Sequence, residues 1–289
     1  MTTRSLPGAQ GARNAATAAA LVLVQTNLFI SLAATSVAVS TVVLAGLPLE
    51  PLPLFIVFAV TLFVYSFNRL ADRAEDERNV PGRAAFVDRY GKPLFAIGIG
   101  LYIAATVAAV LRGVPGAPAM ILPLTVAVLY SIVGLKRILL VKNLLVGVAW
   151  GLIPLGVGVY YSRLMTIDIL FMTVFVTVML TIAAVVFDIK DIEGDRAEGI
   201  RTVPIVVGPE RTRRLAAGAT AVVGVLVAAL VLTDVLPTRY GLVLPFVVYV
   251  LCYCPFATEE RGPLFYGFVV DGEHLFLVLL LLAVEFGLP

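Results

Sequence analysis

Apolar runs long enough to cross a bilayer recur from residue 15 to the end of this 289-residue chain. In hydrocarbon the backbone must satisfy its own hydrogen bonds, and about 20 mostly apolar residues in a helix do so while spanning the core. The expected fold is therefore all-α, a polytopic membrane helix bundle of about nine transmembrane helices. Composition agrees, with 60% of residues hydrophobic and 14% charged and a mean hydropathy of +1.01. A water-soluble domain of this size could not hide so much apolar surface. The first run is longer than a signal-peptide core and more spans follow it, so it reads as a span and not as a cleaved leader.

Spans are expected over about 15–45, 52–71, 93–112, 117–135, 139–161, 165–188, 213–233, 240–257 and 264–286. The whole chain, 1–289, reads as one transmembrane domain with residues 1–14 as an N-terminal tail. Pro- and Gly-rich turns such as "GLPLEPLPL" and "RGVPGAP" mark one side, and longer charged loops mark the other. Asp271, Gly272 and Glu273 interrupt the last span and read as a helix start inside a re-entrant turn. The N-terminal tail and the loops after the even-numbered spans hold 18 of the 21 Lys and Arg residues. By the positive-inside rule this side is cytoplasmic, which makes the expectation a multi-pass cell-membrane protein with its N-terminus and charged loops in the cytoplasm.

Other residues narrow the chemistry. A net charge of +2 with no basic stripe gives no sign of a nucleic-acid partner. Cys252 and Cys254 lie in an apolar stretch without a second pair, so they read as small buried residues. His274 is the single histidine, too few for a His-based metal site or a Ser-His-Asp triad.

The informative charges are two acidic stretches, "YSFNRLADRAEDERN" from residue 65 and "FDIKDIEGDRAEGIRTVP" from residue 187. In the first, Asn68, Asp72 and Asp76 recur every fourth residue; in the second, Asp188, Asp191 and Asp195 follow at steps of three and four. At about 100° per residue each set occupies one helical face. Both end an even-numbered span and so share one side of the membrane. Carboxylates crowded beside hydrocarbon need a compensating cation, and Mg2+ suits them, because it takes a few carboxylates together with substrate phosphates. The interleaved bases suit the same ligand from the other side: Arg69, Arg73 and Arg201 beside the acids, and Lys136, Arg137 and Lys142 on the loop after the fourth span. An anionic diphosphate head with a hydrocarbon tail, that is a polyprenyl diphosphate, fits such a mouth on a lipid-embedded bundle.

"NRLADRAED" with "DIKDIEGD" resembles the paired Asp-rich motifs of the UbiA superfamily of intramembrane prenyltransferases, whose members are bundles of nine transmembrane helices. The resemblance extends to "YSIVGLKRILLVKN" and "GIRTVP" and covers most of the chain. It implies Mg2+ as cofactor, held with the diphosphate by Asn68, Asp72, Asp76, Asp188, Asp191 and Asp195. Asp72, Asp76, Asp191, Asp195 and Tyr130 are implied at the reaction centre, with Ser131, Lys136 and Lys142 as further diphosphate contacts. Arg69 stands where many relatives carry a second acid, and the usual Arg-Pro segments are absent, which leaves the acceptor unspecified.

On this reading Mg2+ makes diphosphate a better leaving group, and an allylic cation is captured by a lipophilic acceptor in a site that excludes water. The acceptor classes are an ether-lipid precursor, a quinone or other aromatic precursor, a porphyrin-type compound or a carotenoid. Aromatic faces stabilise cations, which singles out Tyr65, Phe67, Tyr130, Trp150, Tyr160, Tyr161 and Phe187. Asn27 reads equally as a pocket residue or an interhelical hydrogen bond, and Glu273, His274 and Glu285 as interface residues. A transporter, a CDP-alcohol phosphotransferase and a cyclase acting on a prenyl diphosphate are the rival readings. The first predicts ionisable groups at mid-membrane, and the second an Asp-Gly start that neither acidic stretch has.

Overall fold

The computed structural model describes residues 7–123, 125 and 139–287. Helices account for all its regular structure, and no strand occurs among the described residues. Among the described residues, seven helical segments are long and apolar enough to cross a membrane, or eight with a bent pair at the start counted as one. The expected span over 117–135 lies largely outside the described residues, as do Tyr130, Ser131 and Lys136; a 3-10 turn, Ala117–Met120, opens it and residues 121–123 continue it as helix.

The single span expected over 15–45 is two helices, α1 (Pro7–Gln25) and α2 (Leu28–Leu44), bent by 70°. At the corner the Thr26 hydroxyl donates back to the Val22 carbonyl at 2.7 Å, and Asn27 takes a left-handed φ of 62°. Asparagine tolerates that conformation better than most residues. Its carbonyl accepts the Ser31 hydroxyl at 2.8 Å, and its side-chain amide donates to Ser66 on α3 (Pro51–Ala71) at 3.4 Å. Asn27 thus ties two helices together.

After α3 come the short α4 (Arg73–Asn79) and α5 (Pro81–Leu111). The third span was expected from 93, but its helix starts at Pro81, because proline is well suited to a first helical turn and Ala84, Val87 and Gly91 present a buried face. Gly91 lets α3 in: a Cβ there would lie 3.0 Å from Leu70 Cδ2. The "VPGRAAFVDRYGK" segment, with its charges and Pro-Gly pair, is therefore the start of a long helix.

Two helices form the tightest pair, α6 (Val141–Tyr160) and α7 (Ile167–Phe187). A Cβ on Gly147 would fall 2.1 Å from Thr181 Oγ1 and 2.4 Å from the Thr177 carbonyl, and one on Gly151 2.0 Å from Thr177 Oγ1. In a bundle where lipid is as apolar as leucine, such close backbone approach is what drives association. Beyond lie α8 (Ile192–Ala197), α9 (Val203–Val207), α10 (Pro209–Leu232) and α11 (Leu244–Tyr253), the last flanked by 3-10 turns. The final span is interrupted at the expected charges: a π-helix, Phe265–Val270, stops at Asp271 and Gly272, and α12 (Glu273–Glu285) resumes. It packs on α2, and α2 also touches α3 and α6, so α2 runs through the middle of the bundle. Outward residues such as Leu111, Val225 and Leu232 are at least 70% exposed, a surface made for acyl chains.

Candidate active site

One end of the bundle gathers the C-terminal ends of α3 and α7 with the N-terminal ends of α5, α6 and α12. The first acidic set keeps its helical register across the break at Asp72. The Asp72 N–H donates to Asn68 O at 2.8 Å and the Asp76 N–H to Asp72 O at 2.9 Å. The second set does likewise through a tighter turn, Asp191 N–H to Asp188 O at 3.3 Å and Asp195 N–H to Asp191 O at 2.8 Å. The two motifs meet, because α4 packs against α8.

The carboxylates are matched with cations. Asp76, buried, accepts from Arg83 at 3.0 Å and lies 3.9 Å from Arg69. Asp188 and Asp195, each 2% exposed, share Lys142 at 2.8 and 3.5 Å. Asn143 adds a hydrogen bond from its amide to Asp188 at 2.8 Å. Lys190 pairs with its neighbour Asp191, and burial pushes its ammonium below the ordinary lysine value against the pull of that carboxylate. Arg83 is within electrostatic reach of Asp191 as well as Asp76, which links the motifs through one guanidinium. A cavity of about 500 Å3 opens beside them, with Lys190, Asp191 and Glu193 on one wall and Glu259 and Glu260 on the other.

Of the residues singled out from sequence, Asn68, Arg69, Asp72, Asp76, Lys142, Asp188, Asp191 and Asp195 lie at this end. Arg73 turns away, held by Asp88 and Glu77 on the outer surface, and these partners raise its already high pKa. Arg201 is exposed on the loop before α9. No three His, Cys, Asp or Glu groups stand close enough to hold an ion among the described residues, because the acids are drawn to Lys and Arg. Tyr160 and Tyr161 belong to the opposite end, where they donate to Glu50 and to the Pro48 carbonyl at 2.6 Å each. Tyr65 and Trp150 meet inside the bundle, the indole donating to the phenol oxygen at 3.3 Å.

Sequence reasoning passed over Arg83 and Asn143, and it read Asp271 only as a break in the last span. Arg83 was one cation among several in a loop, and Asn143 was simply the neighbour of Lys142. Asp271 carried a usable signal, a carboxylate inside a greasy span, and it stands within reach of Arg69, Arg83 and Lys190. Glu273 and His274, expected at the interface, are instead buried at 1% exposure each, because the turn at Asp271 and Gly272 points the start of α12 into the bundle. Glu285 is exposed at the far end of α12.

Comparison with known proteins agrees with this architecture. A UbiA homologue of Archaeoglobus fulgidus, solved with GPP and Mg2+, superposes with a TM-score of 0.64 over 91% of this chain and 98% of its own, at 15% identity. A UbiA homologue of Aeropyrum pernix K1 gives a TM-score of 0.62 over 89% and 98%, at 18% identity. The digeranylgeranylglyceryl phosphate synthase of Natronomonas pharaonis is 47% identical over 58 residues, a match spanning 20% of this chain and only 18% of that protein. Residues 28–262 match the UbiA prenyltransferase family, a stretch that contains both acidic motifs. This chain therefore belongs to the UbiA prenyltransferase family.

Proposed function

We propose that this multi-pass membrane prenyltransferase moves a polyprenyl group from a polyprenyl diphosphate to a lipophilic acceptor, at the cytoplasmic end of its bundle. The observation that carries the reading is the meeting of both acidic motifs, with their Lys and Arg partners, at one end of a lipid-facing bundle. The donor set fits Mg2+: Asp72, Asp76, Asp188, Asp191 and Asp195 supply hard oxygens, Asn68 an amide oxygen, and Asp76 Oδ2 is buried with no hydrogen bond. When bound, Mg2+ offsets the charge that builds on the departing diphosphate.

The residues of the chain do the rest. Arg69, Arg83 and Lys142 hold phosphate oxygens as the diphosphate takes its place among the acids. The tail lies among the helices beneath, where Tyr65 and Trp150 present ring faces and lipid-facing walls exclude water. The name of the Natronomonas relative, together with the Mg2+ and GPP held by the Archaeoglobus homologue, favours an isoprenoid donor and an ether-lipid precursor as acceptor over an aromatic or carotenoid one.

The test is incubation of purified protein with labelled prenyl diphosphates of several lengths, with and without Mg2+, against a panel of acceptors. Mg2+-dependent release of diphosphate and a prenylated product are expected. No such release from any donor, with Asp72→Ala and Asp191→Ala indistinguishable from wild type, would overturn the reading.

A further inference from the structure

The start of α12 carries a polar group that neither acidic motif uses. Glu273 and His274 are each 1% exposed, in the middle of apolar packing. Tyr253 on α11 donates to Glu273 Oε2 at 2.7 Å. Glu273 Oε1 and both ring nitrogens of His274 have no hydrogen-bond partner, although Nε2 lies 3.6 Å from that Oε1, too far to count as one. Leaving buried polar atoms unmatched is costly, so three in one place call for a reason beyond packing. Their position supplies one. Asp271, one turn towards the mouth, is within reach of Arg69, Arg83 and Lys190. The imidazole itself stacks on Trp150 at 5.8 Å, and Trp150 donates to Tyr65, one turn below Asn68. His274 follows Asp271 by three residues, about one helical turn, and lies between the rings of Trp150 and Phe246, on the bundle side of the acidic mouth.

We infer that His274, oriented by Glu273, is the base that receives the proton of a hydroxyl-bearing acceptor. The proposal rests on the prenyl-transfer reading above. In the step, the C–O bond to diphosphate breaks and its electron pair leaves with the diphosphate. A lone pair of the acceptor hydroxyl forms the new C–O bond, and the hydroxyl proton passes to His274 Nδ1. Glu273 beside Nε2 favours the tautomer with its proton on that nitrogen, leaves the Nδ1 lone pair free, and balances the imidazolium that results. A hydroxyl offers a donor and an acceptor to the atoms left unmatched here; a polyene carbon offers neither. His274 would be a catalytic residue and Glu273 a positioning residue.

The test uses the full-length protein with Mg2+, geranyl diphosphate and two acceptors of similar size, a long-chain alcohol and an acidic alkyl nitrophenol that arrives already ionised. His274→Gln is expected to slow transfer to the alcohol about 100-fold or more, the usual scale of a lost general base, while transfer to the phenolate is largely kept. Glu273→Gln should show the same split in milder form. Thermal stabilisation by Mg2+ and geranyl diphosphate reports that each variant is folded at the mouth. Equal loss on both acceptors, unchanged alcohol transfer, failure of both variants to fold, or a wild type that prenylates only acceptors without a hydroxyl would each overturn the inference. A wild type that releases no diphosphate at all would instead sink the prenyl-transfer reading beneath it.

Discussion

The two acidic motifs answer the same electrostatic problem in different ways. The first is served by its own neighbourhood: Asp76 finds Arg83 seven residues on, across the short step from α4 to α5. The second is served from afar, since Asp188 and Asp195 close on Lys142 and Asn143 of a different span, 45 residues upstream in the Asn143 bond. Local pairing makes the first motif a self-contained corner, whereas distant pairing makes the second a clasp between α6 and α7. A change in the first should act mainly on the ligand, and one in the second on ligand and fold together.

The sharpest way to break this contrast is Asp188→Ala. Removing one partner of a buried pair strands the other, at a cost of about 3–5 kcal/mol, so the unfolding midpoint in detergent should fall steeply and donor binding should vanish. Gly147→Ala comes next. Its new methyl group meets Thr181 and the Thr177 carbonyl, and overpacking of about 1–3 kcal/mol should lower the midpoint while spreading the clasp enough to weaken Mg2+-dependent donor binding. Asp76→Asn should reverse the emphasis: transfer falls about 100-fold or more, as for a lost transition-state contact, with a smaller loss of midpoint than Asp188→Ala. If Asp76→Asn proves the more destabilising of the two, the division into corner and clasp fails. Chelation of Mg2+ should abolish diphosphate release and remove the thermal shift produced by donor. The smallest effect is expected for Arg73→Ala, whose exposed partners Asp88 and Glu77 lie on the outer surface; midpoint and donor affinity should stay at wild-type values.

Sequence alone revealed the parts of this molecule that repeat or that offend against their surroundings. Spans such as α3, α6 and α7 were readable because a long apolar run has one stable answer in lipid. The five motif acids stood out as candidates because carboxylates at the end of such a run call for a cation. Asn27 was not readable as a corner, since a polar residue within a span looks the same whether it bonds across helices or turns left-handed. The early start of α5 was masked by charges that face outward while Ala84 and Val87 face in. Arg83 and Asn143 were invisible as partners because pairing depends on which helix ends share the mouth. His274 was discounted for lack of a second histidine, when its relevant neighbour was the carboxylate beside it.

The glycine seam between α6 and α7 has a consequence for engineering. With no methyl at Gly147 and Gly151, the two helices are as close as backbones allow, and Lys142 and Asp188 ride on adjoining ends of that pair. Residue size at 147 is in effect a spacer, set at zero. Stepping it through alanine and serine would widen the entrance by increments from the far side of the wall, leaving every charged group untouched, and so offers a dial on which head groups are admitted.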